Sequence, residues 1–196
     1  MNRLTAPLIA TAAGAVILLG TNPVLAHGAA AGGGLGGFTH PLLGPDHLFM
    51  LMAVGTAASL LSLRLLLWAL AGAVLGAAFG LAGLNFASAE VLAALSISAV
   101  AGLSLLAGRG AVVGAVVGSG VAIHAMLHGL EAPQDGSTLI WWGGALFSSA
   151  LVCGGTCLLL TKLPRSFPRA AAITLVAIGG LLAIGQLGLL ASGAAT

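Results

Sequence analysis

Six apolar runs, near residues 42–62, 65–84, 90–108, 111–130, 139–161 and 169–191, take up most of the chain. At helical rise each run matches a bilayer's hydrocarbon core, ~30 Å thick. The connections between them are short, so runs adjacent in sequence should lie antiparallel and adjacent in space. The pattern predicts an all-α fold: a polytopic membrane protein built as a six-helix transmembrane bundle in the lipid bilayer. Charged residues make up only 5% of the chain, which leaves no polar segment for a soluble module. The 31 glycines suit such a bundle, because small residues let helix backbones approach closely in lipid.

The few charges are ordered. Arg64 follows the first run, Arg109 the third, and Lys162, Arg165 and Arg169 the fifth, whereas Glu90 follows the second and Glu131 and Asp135 the fourth. Basic connections face the cytoplasm, so the odd connections are expected inside and the even ones outside. Residues 1–26 read as a signal peptide, with Arg3 as the positive region, Leu8 to Gly20 as the apolar region and Val24-Leu25-Ala26 as the cleavage site. An uncleaved anchor is the competing reading. Cleavage would deliver residues 27–196 as the transmembrane domain, with its N-terminus outside and a flexible Gly/Ala stretch from Gly28 to Gly37. A net charge of +2, spread thinly, excludes a nucleic-acid partner, and no nucleotide-binding loop is present.

Against this background the segment His40-Pro41-Leu42-Leu43-Gly44-Pro45-Asp46-His47 stands out. Ionisable groups within a membrane are expensive and mark functional sites. Imidazole and carboxylate together are a ligand set for a divalent transition metal. Pro41, Gly44 and Pro45 argue against a regular helix through residues 40–46. Broken backbone at membrane depth belongs where it is buried or lines a cavity. A Pro-Gly entry loop among lipid headgroups is the plainer alternative.

A second cluster closes the fourth run. His124 and His128, four apart, share a helix face, and Glu131 follows on the same side. Measured from Arg109, the two histidines lie roughly 22 and 28 Å along their helix; measured from Arg64, His47 and Asp46 lie roughly 25 and 27 Å along theirs. The clusters thus match in height and read as halves of one outer site. Glu90 is either an N-terminal charge favoured by the helix dipole or a further ligand. Met126 lies two residues from both histidines and should point away from their face. Cys153 and Cys157 read as buried, inert thiols far from the histidines, with no disulfide indicated. Met50 and Met52 read as packing residues, Gly118-Ser119-Gly120 as a small-residue packing face, and Trp68, Trp141 and Trp142 as interfacial anchors.

With these residues in view, the chain resembles the HupE/UreJ family of bacterial membrane proteins, implicated in nickel or cobalt uptake, over nearly its whole length. The likeness rests on His40-x5-Asp46-His47, on Glu90 followed by an apolar run with Ser96, and on His124, His128-Gly129 and Glu131. Family members often carry a third histidine between the two of span four, where this chain has Met126, so the ligand count stays open. The resemblance implies that His40, Asp46 and His47 are needed for transport. It also implies a bacterial inner membrane, with both mature termini periplasmic, and Ni²⁺ or Co²⁺ as the transported substrate. No cofactor is expected besides that ion. The oligomeric state, a homo-oligomer included, is left open.

His27 adds one more candidate. If Ala26 is the last residue removed, His27 gains an α-amine beside its imidazole, a pair able to chelate a divalent ion. The alternative is that His27 is incidental to the cleavage site. Two other functions compete with a secondary permease. An intramembrane zinc hydrolase would retain its ion through purification, and a metal-binding protein without flux would bind and not transport.

Overall fold

The computed structural model describes residues 32–106 and 110–192. The proposed signal peptide, His27 and Arg109 lie outside them. The described residues form seven helices: α1 (Gly33–Leu43), α2 (Pro45–Leu60), α3 (Arg64–Leu81), α4 (Ala89–Leu106), α5 (Ala111–Glu131), α6 (Thr138–Thr161) and α7 (Ser166–Ala191), with no strand among them. The last five are long and apolar enough to cross a membrane. Their outer faces carry fully apolar side chains, such as Leu139, Ile140, Phe147 and Ile184, which only lipid would solvate.

The first run departs from expectation. Helix begins at Gly33, inside the stretch expected to be flexible, and continues through His40 and Pro41 to Leu43. Pro41 removes one bond from the ladder without ending the helix. The break falls at Gly44, whose extended φ/ψ of −79° and 113° separates the two helices. Pro45 then opens α2 at a position where a missing N–H is harmless. Alone, the 16 residues of α2 reach ~24 Å, short of a bilayer core. Both α1 and α2 pack along α6.

Glycine sets the helix pairing. On α3, Gly72, Gly76 and Gly80 meet Gly118, Ala122 and Met126 of α5 backbone to backbone; a Cβ at any of them would come within 2.1 Å of a carbonyl oxygen. The two helices therefore run parallel, in the alternation expected for second and fourth spans. Gly118 and Gly120 do pack closely, against Trp68 and against Met50 and Ser96. Gly37 of α1 sits on the Trp141 backbone in the same manner, and Gly55 of α2 on Cys153 and Thr156. Between α4 and α7, Gly179 meets Ser98, whose hydroxyl donates to the Val176 carbonyl at 2.7 Å. Helix α2 is the hub, packed on α4, α6 and α7, with Ala53, Val54 and Ala57 wholly buried. After α3, Gly83 takes φ of +78°, and Leu84 N–H donates back to the Phe79 carbonyl at 3.0 Å, the left-handed stop that glycine permits.

Candidate metal centre

The break at Gly44 places His40 one turn before it and His47 one turn after it. Both rings meet His128, from the last full turn of α5. Nε2 of His40 lies 2.7 Å from Nδ1 of His128, and Nε2 of His47 lies 3.2 Å from the same atom. The three residues offer ring nitrogens all within 4.8 Å of one another. Oε2 of Glu131 closes the group at 3.4 Å from His40 Nε2 and 3.9 Å from His128 Nδ1. Three ring nitrogens thus cluster, with one carboxylate oxygen beside two of them.

Nδ1 of His128 has one hydrogen or one lone pair to offer, so it cannot satisfy both neighbouring imidazoles well. A cation among the three nitrogens would take a lone pair from each. Behind the cluster, Oδ1 of Asp46 lies 2.7 Å from Nδ1 of His47. The carboxylate beside the far nitrogen leaves Nε2 turned to the cluster, and a carboxylate in that place commonly supports a metal-bound histidine.

His124, one turn inward of His128, is 95% buried on its 5% residual exposure. Its Nδ1–H donates to the Gly120 carbonyl at 3.1 Å, while Nε2 makes no well-formed hydrogen bond. Its ring centroid is 5.6 Å from that of His47. The structure therefore joins His40, Asp46, His47, His128 and Glu131 directly and places His124 at their inner edge. Glu90 stands in the first turn of α4, outside the three-histidine group.

Trp141 also belongs to the surroundings of this cluster, which nothing in its position along the chain signals. Far from being an interfacial anchor, it is completely buried, with its ring 5.2 Å from His40 and 6.4 Å from His128. It walls the cluster on the α6 side. Met126 points away as expected and packs with Ala89, Ala93 and Leu127. Both cysteines are free thiols, but Cys153 is not remote from the histidines. Its Sγ–H donates to the Leu51 carbonyl at 3.3 Å, one turn beyond His47. Its place near the inner end of the fifth run suggests distance; the lateral packing of α6 on α2 removes it.

Below the cluster a cavity of about 340 Å³ opens between α3 and α6, floored by α2 and α5. His47, His124 and His128 form its outer end, and Leu66, Leu70 and Cys153 lie further along it.

Fold and site together define a multi-pass helical membrane protein that gathers imidazoles and carboxylates suited to a divalent metal ion. The family model described as HupE / UreJ protein matches residues 15–189, and the chain belongs to that family. No curated protein and no solved structure matches it.

Proposed function

We propose that this protein is a secondary permease that carries Ni²⁺ or Co²⁺ from the periplasm into the cytoplasm across the bacterial inner membrane. The observation that carries the reading is the convergence of His40, His47 and His128, from two separate spans, on one partly buried point. Family membership supports it. The broken α1–α2 pair counts as the first of six spans, and the basic connections after α2 and α6 face the cytoplasm. Imidazole with carboxylate suits these ions, and selectivity must come from geometry, since affinity alone favours copper.

Within this reading His40, His47, His128 and Glu131 are the ligands at the outer side of the bundle. Asp46 is a positioning residue that acts through His47. As carboxylates, Asp46 and Glu131 supply the two charges that a divalent ion neutralises, which offsets the cost of holding them at membrane depth. Glu90 and His27 remain accessory candidates, for a role in lining the entry and in capturing the ion. A transport site must release its ion, whereas a catalytic zinc site keeps it. Accumulation of radiolabelled nickel or cobalt in cells, measured beside metal content after detergent extraction, tests this. Uptake with weak retention supports a permease; retention without uptake overturns it.

A further inference from the structure

The cavity continues past the histidines, and its chemistry changes along the way. On α3 the lining begins at Leu66, near the Arg64 end, while Gly80 of the same helix packs on Gly129, next to His128. At helical rise those levels are about 20 Å apart, so the space reaches well into the inner half of the bundle. Half of its lining residues are leucine or alanine. Beyond the three histidines, the lining side chains that carry a heteroatom are Met50 of α2, Ser149 and Cys153 of α6, and Trp142 at the outer end.

Met50 lies three residues after His47 and so one turn inward on the same face. It is 2% exposed, and its methyl group abuts Gly120, whose carbonyl holds the ring of His124. Cys153 reaches the same level from the neighbouring α6 wall, through its contact with the Leu51 carbonyl. That level is about 6 Å inward of His47. His124 stands at the same cavity with Nε2 buried and short of a well-formed hydrogen bond. A thiol alone would be an inert buried group. A thiol, a thioether and a buried imidazole around one cavity are a ligand set for a transition metal, softer than the histidine-carboxylate cluster outside it.

We infer that Met50 and Cys153 form a second, sulfur-based station for the ion, reached from the histidine cluster by way of His124. The ion exchanges imidazole and carboxylate for sulfur as it moves inward, and coordination displaces the Cys153 thiol proton to solvent. The gap between α3 and α6 is then the inner half of the route. Cys157, four residues on and wholly buried, does not line the cavity and takes no part. A station of this kind rests on the transport reading above, since it has a purpose only if the outer site passes its ion inward.

Cobalt reports on thiolate ligation through a sulfur-to-metal charge-transfer band. Purified full-length protein should show that band on Co²⁺ addition, and Cys157→Ser should retain it. Cys153→Ser should lose it and lower cobalt uptake several-fold, while still binding cobalt at the histidines and remaining monodisperse. Met50→Leu should weaken retention of the ion with the band preserved. Cobalt bound by the wild type without the band, or a band that survives Cys153→Ser, would overturn the sulfur station and leave the outer site intact. A band dependent on Cys153 in a protein that takes up no metal would instead overturn the transport reading and keep the station. If Cys153→Ser fails to stay monodisperse, protection of Cys153 from a maleimide by Co²⁺ in the wild type decides the point; absence of protection counts against the station.

Discussion

Nε2 of His40 lies 2.7 Å from Nδ1 of His128, across 88 residues of chain. Neither residue is placed by its own helix alone. His40 is set by the close seat of Gly37 on α6, and His128 by the contact of Gly129 with Gly80. The site is therefore a product of helix packing, and substitutions that touch no ligand should perturb it.

Gly37→Ala is the sharpest such case. The added Cβ would fall on the Trp141 carbonyl, so α1 must move off α6 and carry His40 with it. Overpacking of this kind costs about 1–3 kcal/mol. Gly143→Ala adds the same atom where nothing lies within 4 Å. Metal uptake at matched membrane abundance should fall strongly for Gly37→Ala and stay near wild type for Gly143→Ala. Equal effects would mean that the α1–α6 seat does not position the site.

Asp46 separates ligand from positioning residue. Losing the carboxylate behind a metal-bound histidine lowers affinity by about 10–100-fold. Asp46→Asn keeps a polar oxygen of the same reach beside His47 Nδ1, so it should retain markedly more uptake than Asp46→Ala. Equal abolition by both would identify Asp46 as a direct ligand.

Met126 faces the α4 packing surface, among Ala89, Ala93 and Leu127. Met126→Leu preserves that volume and should retain most transport, with stability changed by less than about 1.5 kcal/mol. Thermal denaturation and uptake together check this. Loss of uptake in a stable Met126→Leu protein would show that the thioether contacts the ion.

Reporter fusions test the arrangement of spans. Fusions after Arg64 and after Asp135 should report opposite sides of the membrane, with Arg64 cytoplasmic. Like signals from both would contradict the six-span arrangement in which α1 and α2 count as one.

Much of this was legible in the sequence because lipid imposes a simple rule. Apolar length fixed the five long spans to within a few residues, and histidine spacing with equal counted heights brought the two halves of the site together. What was missed depended on lateral packing. The segment around His40 was expected to be irregular, yet one residue, Gly44, carries the whole break, since Pro41 is tolerated near a helix end and Pro45 at a helix start. Trp141 reads as a headgroup anchor because it lies near the start of a span, but packing against His40, His128 and Trp142 buries the indole. Cys153 looked distant because position along α6 says nothing about the neighbouring turn of α2.

The central claim is that His40, His47 and His128 together hold the ion that the protein moves. Its most direct test is accumulation of radiolabelled nickel or cobalt in cells producing the wild type or His128→Ala, at equal amounts of membrane-inserted protein. His128 is the atom-level hub of the three, so the account predicts that its replacement abolishes accumulation as fully as His40→Ala or His47→Ala. Uptake by His128→Ala at the wild-type rate would contradict it.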